Sequence, residues 1–342
     1  MPLDEERRAA LLGAKLGALV ASAAGADAPR RPVRFPGGAG VVVEGDAGAV
    51  RGWVLADEQP ARVLGPAVLW AARHRVADLS VVVDDEGAAG LLARRAPLFR
   101  LAPTVWRVVG RSLERAVAVP HRVEPPSDPR LAAASAMFAA AGCDRVVEHG
   151  RIVAEVAGLE VARASLGEGG EPVVEVGVGR FDREAHAMIS GGQIDAARLA
   201  DVVALVARHR RPGAAPHPLN MLVPERALRA RVVADPSLVG AETLVPVPPV
   251  VEPPDLRTAT PSPAVGEDPG GTPVVVVCST GIDLDVVPVA ADTRLRDGRG
   301  GRLVVAVPPR DAHRALHELA AALVDPAEVV AVPAEDLAGH QP

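Results

Sequence analysis

Residues 79–95 have the sequence LSVVVDDEGAAGLLARR, in which an apolar run is followed by acids and then by an Ala/Leu-rich segment. A strand is predicted at Leu79–Val83, and its run Val81–Val83 is apolar at consecutive positions, as is typical of a strand covered on both faces. The segment Glu86–Arg95 has helical spacing, and acids favour a helix N-terminus. This order of strand, turn and helix predicts a layered α/β module with a mostly parallel sheet.

The same alternation extends to both sides of this stretch. Further strands and one further helix are predicted at Gly40–Val43, Val50–Leu55, Thr104–Val109 and Pro66–Arg75. Residues 1–35 form a leader with an amphipathic helix, whose apolar stripe is Leu12, Leu16, Leu19 and Val20. Acids at positions 4 to 6 stand where an export signal has basic residues, so a helix is favoured over a signal peptide.

A different pattern follows the Pro-rich break at residues 120–129. A helix predicted at Ala132–Ala141 precedes four short Val-rich runs joined by tight turns, and a second helix is expected at about residues 195–208. A third, short helix is predicted near Glu225–Val233. The runs are Arg145–Glu148, Arg151–Val156, Leu159–Ala164 and Pro172–Val178. Short turns join antiparallel neighbours, so residues 130–245 are predicted to form an α+β antiparallel meander module.

The last third of the chain sets the domain layout. Residues 246–272 are rich in proline and lack hydrophobic periodicity, which predicts a linker. The tail beyond them carries strands and a helix, predicted at Val274–Cys278, Leu303–Val307, Asp311–Leu323 and Glu328–Val332. A tail of about 60 residues makes a marginal core alone. We therefore expect residues 36–120 plus 273–333 to share one sheet in a discontinuous α/β domain.

Composition limits the function classes. The 37 basic residues are arginines except for Lys15, tyrosine is absent, and the net charge is -6, a bias typical of GC-rich bacterial genes. A nucleic-acid partner is possible but is not indicated by this charge. The cysteines, Cys143 and Cys278, are far apart, and no apolar run reaches the length of a membrane span. These features predict a reduced, cytoplasmic protein outside the membrane.

Two motifs have both a functional and a structural interpretation. Residues 174–181, VEVGVGRF, resemble the first motif of Rossmann-type methyltransferases, with Phe181 where that family has a third glycine. A strand end marked by glycines is the favoured interpretation. The acids Asp57-Glu58 and Asp84–Glu86 follow predicted strands, where they can hold a metal or a ribose, but capping of the next helix is favoured.

Three further groups also favour a structural interpretation. The segment Cys278–Asp285 offers an anion-binding nest or a plain turn. His313 and His317 have a zinc-compatible spacing but lie at the margin of an apolar stripe. The run Arg208–Arg211 is interpreted as the cationic end of a helix, in preference to a patch that binds nucleic acid.

The helix, meander and helix of residues 130–211 are similar in topology to the core of restriction-endonuclease-like nucleases. The resemblance implies carboxylates on adjacent strands that bind magnesium or manganese, with Glu148, Glu160 and Glu175 as candidates and the last two as metal ligands. Arg163 is a candidate for neutralising charge, although the family has a lysine there. Strand parity predicts Glu160 and Glu175 on one open face, with Arg163 on the other.

The alternative to a nuclease is a protein that only binds. No catalytic set is recognisable in the chain, so the favoured interpretation is a noncatalytic binding or scaffold role. A metal-dependent, nuclease-like phosphodiesterase is the second hypothesis, and Mg²⁺ or Mn²⁺ is expected as a cofactor only under it. The sequence indicates neither a specific ligand nor a partner.

Overall fold

The computed structural model describes residues 5–24, 30–44, 49–179, 182–183, 196–211, 213–215, 217–251 and 258–333. The chain divides into two compact units, each built from separate segments. The first comprises Met1–His121, Leu284–Asp292 and His313–Glu328, and the second comprises Arg122–Asp283, Thr293–Ala312 and Val329–Pro342.

The α-helices of the described residues agree with the predicted segments to within a few residues, except for one helix that was not predicted, α7. They are α1 (Glu5–Ala24), α2 (Leu64–Arg73), α3 (Glu86–Arg95), α4 (Ala132–Ala140), α5 (Ala196–His209), α6 (Pro224–Ala234), α7 (Val286–Asp297) and α8 (Arg314–Ala321). None of these helices is both long and apolar enough to cross a lipid bilayer.

The first unit contains a six-stranded mixed sheet in the order β1-β2-β3-β4-β5-β6. Its strands are β1 (Arg30–Val33), β2 (Gly38–Glu44), β3 (Val50–Ala56), β4 (Asp78–Val83), β5 (Thr104–Val109) and β6 (Ser112–Arg115). Strands β3, β4 and β5 are parallel to one another, whereas the other neighbours pair antiparallel. The predicted parallel strands thus form the centre of the sheet, and the unpredicted β1 and β6 form its edges.

Both faces of this sheet are covered. Residues Leu79–Val83 of β4 are all buried, as expected for a strand with packing on each side. Helix α1 packs on β2, β3 and β6 through Leu16, Leu19 and Val20, each at most 5% exposed. The predicted amphipathic helix is therefore confirmed, and burial of its apolar stripe ties it to the sheet.

A fully buried carboxylate joins α3 to α7 within the first unit. Asp292 accepts hydrogen bonds from Arg94 Nε at 2.8 Å, from Arg94 Nη2 at 2.9 Å and from Arg95 Nε at 2.9 Å. His121 Nε2 lies 2.7 Å from the same carboxylate. Burial would raise the pKa of Asp292, but the hydrogen bonds and charges of Arg94 and Arg95 outweigh it and lower the pKa to about 2.

The second unit contains the predicted antiparallel meander. Its strands, in the order β10-β9-β8-β7, are β7 (Asp144–Glu148), β8 (Arg151–Val156), β9 (Leu159–Leu166) and β10 (Pro172–Val176). Helices α4 and α5 pack on this sheet through Phe138, Leu199 and Val206, which join one core with the apolar residues of the strands. The α+β meander module is confirmed.

The second unit also contains a five-stranded mixed sheet. Its strands, in this order, are β11 (Thr243–Pro246), β12 (Ser262–Glu267), β13 (Pro273–Cys278), β14 (Arg302–Val307) and β15 (Glu328–Ala331). Strands β13 and β14 are parallel, whereas β12 is antiparallel to β11 and to β13.

This second sheet corrects the predicted domain layout. The tail strands pair with one another and with β11 and β12, so the expected sheet shared by residues 36–120 and 273–333 does not form. Two tail segments between the strands, Leu284–Asp292 and His313–Glu328, do belong to the first unit. Strand β12 lies inside the predicted linker at residues 246–272, and residues 252–257 of that segment lie outside the described residues. Pro263 and Gly266 hide the strand pattern of β12, and without it the tail seemed too small for its own sheet. The α/β class itself is confirmed, with mixed sheets.

Candidate ligand-binding cleft

Glu148 lies in a buried cluster of four charges between the meander and α6. Arg226 donates from Nη1 to Glu155 Oε1 at 2.6 Å and from Nη2 to Glu148 Oε2 at 2.9 Å, and Arg229 Nη2 donates to Glu155 Oε2 at 2.6 Å. Burial alone would raise the pKa of Glu155, but the charges of Arg229 and Arg226 outweigh it, so the pKa is lowered. Glu148 is thus tied to α6 and not to the other two candidate carboxylates.

Glu160 and Glu175 meet at an arginine. Arg163 donates from Nε to Glu160 Oε1 at 2.6 Å, and the same nitrogen lies 3.9 Å from Glu175 Oε2. A second guanidinium, Nη1 of the buried Arg183, lies 3.1 Å from Glu160 Oε1. Both carboxylates are therefore neutralised by cations of the chain itself.

The observed register shows that the parity prediction is wrong. Val176 pairs with Ala162 across β10 and β9, so the small Ala162 faces the core and Glu175 stands directly opposite Arg163. The register between β8 and β9 also shifts at an irregularity next to Glu155, the cross-strand partner of Glu160. The predicted open face with two bare carboxylates does not form, because cross-strand pairing brings Arg163 onto it.

The donor sets in the described residues do not match the predicted metal site. Within these ranges, no group of three or more His, Cys, Asp or Glu side chains is arranged to hold a metal ion. Magnesium and manganese need free carboxylate oxygens, whereas the oxygens of Glu160 and Glu175 face Arg163. The carboxylates present therefore do not fit Mg²⁺ or Mn²⁺.

The acids that follow the parallel strands of the first sheet have structural partners. Asp85 is the N-cap of α3 and accepts a hydrogen bond from the backbone N–H of Ala88 at 2.6 Å. Asp84 accepts from Lys15 Nζ at 2.6 Å, and Asp57 accepts from Arg8 Nε at 2.6 Å. The only lysine of the chain, Lys15 of α1, is thus used in an ion pair with Asp84.

The two glycine-containing motifs also use their donors internally. The backbone N–H of Gly281 donates to Asp311 Oδ2 at 2.8 Å, which occupies the donor that an anion would need. The backbone N–H of Val178 likewise donates to Asp182 Oδ2 at 2.8 Å. Arg180 and Phe181, which end the methyltransferase-like motif, lie outside the described residues.

A cleft of about 520 Å³ opens in the second unit. It lies among the start of β7, the β8–β9 turn, the end of α5, one face of α6 and the turn that follows α6. Its lining residues are Asp144, Ala157, Arg210, Arg211, Asn220, Ala227, Ala230, Arg231, Ala234, Asp235 and Leu238. The alanines of α6, here called the floor, are the small apolar part of this lining, and most of the other lining side chains are charged or polar.

Local sequence explains why α6 provides that floor. The helix begins at Pro224, whose fixed φ suits a first helical position. Ala227, Ala230 and Ala234 recur at helical spacing and line the cleft, while Leu228 and Val232 are buried in the core of the five-stranded sheet. One face of α6 therefore serves the core, and another serves the cleft.

A glycine lets the meander approach α6 closely enough to border the cleft. Gly158, in the β8–β9 turn, has a φ of +76°, a conformation that strains other residues. A Cβ atom at this position would lie 2.2 Å from the backbone oxygen of Arg226. Gly158 is thus required both by the turn and by its contact with the helix.

Arg210 is a partly buried cation that lines the cleft, and no carboxylate is bound to it within the described residues. Its Nε donates to the oxygen of Ala157 at 3.1 Å, and its Nη1 donates to the oxygens of Leu219 and Leu222 at 2.9 and 2.8 Å. Its Nη2 is shielded from solvent and has no hydrogen-bond partner in the described residues. Burial lowers the pKa of Arg210 to about 10, against the attraction of Glu155.

Other polar groups of the cleft are also incompletely paired. Asn220 Oδ1 is shielded from solvent and has no hydrogen-bond partner among the described residues. Asp144 has a raised pKa because burial and the negative charge of Glu155 outweigh the attraction of Arg229. A few charged and polar side chains beside a small apolar surface are typical of a site that orients a ligand.

The sequence did not reveal this cleft. Arg210 and Arg211 were interpreted as ordinary cations of a helix end, and the alanines of α6 carried no chemical signal. The available signal was the three-residue and four-residue spacing of Ala227, Ala230 and Ala234, which marks a small-residue helix face. Such a face is common, so the cleft is recognisable only when α5 and the meander are placed beside it.

Comparison with known proteins found no matching family model, no matching curated protein and no matching solved structure.

Proposed function

We propose that this chain is a noncatalytic binding protein that holds a small organic molecule in the cleft of its second unit. The observation that carries this proposal is a concave site of about 520 Å³ whose lining combines small apolar side chains with a few charged and polar ones. Ligand pockets of roughly 300–1,000 Å³ with a mostly apolar lining and a few polar groups are typical small-molecule sites.

The chemistry of the lining favours binding over covalent catalysis. None of the described lining residues is Ser, Thr, Cys, Lys or His, the side chains that most often act as nucleophiles. The cysteines elsewhere are buried and free, and burial raises the pKa of Cys143 to about 11 and of Cys278 to about 12. Both thiols therefore stay protonated, which supports a reduced protein in the cytoplasm.

The metal-dependent nuclease remains the second hypothesis with less support. Its magnesium or manganese would have to displace Arg163 from Glu160 and Glu175, and Glu148 is already bonded to Arg226. A binding role needs no such rearrangement, because the cleft is open in the folded chain.

The proposed function is tested with two fluorescent probes, the anionic anilinonaphthalene sulfonate and its uncharged analogue phenylnaphthylamine. Ala230→Trp fills the floor of the cleft, whereas Ala204→Trp places the same side chain on the exposed surface of α5. We expect at least one probe to bind the native protein and Ala204→Trp with similar affinity, and to bind Ala230→Trp at least about tenfold more weakly. Equal binding to all three proteins, or binding of neither probe, would overturn the proposed function.

A further inference from the structure

The positive charge of the cleft is concentrated at the end of α5. Arg210 and Arg211 both line the cleft, and neither has a carboxylate within ion-pair distance among the described residues. Cations at a helix C-terminus are common, but most of them point to water. This pair instead borders a concave site.

Arg210 differs from the other buried arginines of the second unit. Arg226 and Arg229 each donate to a carboxylate at 2.6 Å, so their charges are neutralised in place. The acceptors of Arg210 are three neutral backbone carbonyls, which fix its Nε and Nη1 without cancelling its charge. A charge held this way in a poorly solvated wall produces a strong local field.

Arg211 provides the direct contact. It is exposed and lies next to Arg210 in the chain, and its side chain has no hydrogen bond or ion pair within the described ranges. Its guanidinium is therefore free to turn toward a ligand, while Arg210 is fixed by its carbonyls. Guanidinium groups bind carboxylates and phosphates with paired hydrogen bonds.

The carboxylates of the same cleft do not cancel this charge. Three arginines and two aspartates line it, so the sum of the formal lining charges is positive. Asp235 already accepts a hydrogen bond from Ser237 Oγ at 2.6 Å. Asp144 stands on the meander side, at the start of β7, and away from α5 in the chain.

We propose that the ligand is a small organic anion whose carboxylate or phosphate binds Arg211 within the field of Arg210. Its apolar part lies on Ala227, Ala230 and Ala234. This inference rests on the proposed function, because it names the chemical class of the molecule that the same cleft holds.

The test compares the affinities of the two probes, which differ in the sulfonate group. We expect the native protein to bind anilinonaphthalene sulfonate at least about tenfold more tightly than phenylnaphthylamine. This is the gain in affinity expected from one charged hydrogen bond between the sulfonate and Arg211. Arg211→Gln should reduce this ratio about tenfold and leave the affinity for the uncharged probe unchanged. Arg208→Gln removes an exposed arginine of α5 outside the cleft lining and should leave the ratio as in the native protein.

Hexyl phosphate and hexanoate provide a second readout. Both should displace the anionic probe from the native protein, whereas hexanol at the same concentration should displace it at least about tenfold less effectively. The Arg211 side chain is exposed and has no hydrogen bond or ion pair within the described residues, so Arg211→Gln is the decisive variant even if Arg210→Gln does not fold.

The failures of the two proposals are distinguishable. If the native protein binds the two probes equally well, or if Arg211→Gln leaves the affinity ratio unchanged, the proposal of an anionic ligand is overturned. The proposed site still stands in that case, provided that Ala230→Trp blocks binding. Binding that Ala230→Trp leaves intact overturns the site itself.

Discussion

Replacement of Glu155 by alanine tests how the second unit balances its buried charges. The Glu155 side chain is 2% exposed and bonds both Arg226 and Arg229. In Glu155→Ala, Arg226 keeps Glu148 at 2.9 Å, but the nearest remaining carboxylate oxygen to Arg229 is Glu148 Oε1 at 4.0 Å. Arg229 is 1% exposed, so a buried guanidinium is left without a close counter-ion. Breaking a buried pair in this way costs about 3–5 kcal/mol.

Glu175→Ala is the matched control, because it makes the same change on another strand of the same sheet. The Glu175 side chain is 33% exposed, and its ion-pair distance to Arg163 is 3.9 Å, so its loss should cost less than about 1 kcal/mol. Urea unfolding of the full chain followed by far-UV circular dichroism measures both changes. The three tryptophans, Trp53, Trp70 and Trp106, all lie in the first unit, so their fluorescence separately reports that unit. If Glu155→Ala destabilises no more than Glu175→Ala, the assignment of the buried cluster is wrong.

Three further results are expected. The pKa of Asp292 is lowered to about 2 from its usual 3.8, so Asp292 contributes about 2 kcal/mol of stability that is present above pH 3.8 and is lost as the pH falls toward 2. Acid titration of the unfolding midpoint should therefore be flatter in Asp292→Asn, and an unchanged acid profile would contradict this account. Gly158→Ala should lower the free energy of unfolding by at least about 2 kcal/mol, because the added Cβ would lie 2.2 Å from a backbone oxygen. The control is Gly142→Ala, which should cost only about 1 kcal/mol because Gly142 has a similar φ but no atom within 4 Å of the added Cβ. If urea unfolding shows equal losses of stability in Gly158→Ala and Gly142→Ala, the close contact between the β8–β9 turn and α6 is wrong. Magnesium or manganese should change the melting temperature equally in the native protein and in Glu175→Ala, as measured by differential scanning fluorimetry, and a rise confined to the native protein would revive the nuclease hypothesis.

The candidate site shows why function was harder to predict than fold. Each lining residue has an ordinary local reason to occur, as with cations at the end of α5 and alanines along α6. The cleft arises only because Asp144, the β8–β9 turn, α6 and the turn after α6 meet. Its first and last lining residues, Asp144 and Leu238, are 94 positions apart in the chain. No local pattern records such a meeting.

Partner choice among charged side chains was equally hidden. The sequence indicated which acids lie on the meander strands, but it did not indicate that Arg163 would stand between Glu160 and Glu175. Long side chains reach several neighbours, and a single irregularity in strand register changes which of them are closest. The metal-site hypothesis depended on that register and failed to fit it.

The sequence alone determined the type and approximate bounds of most elements, because burial on one face or on two leaves a periodic record in neighbouring residues. Consecutive apolar residues at Val81–Val83 specified a strand covered on both faces, and tight turns between short strands specified the meander. Only the tertiary structure decided the partner of β13. Its run Val274–Cys278 is buried throughout and would suit the centre of either mixed sheet. Backbone N–H and C=O groups are the same in every residue except proline, so the hydrogen bonds of a strand do not select its neighbour. Its actual neighbours, β12 and β14, are set by long-range packing that no short stretch of sequence contains.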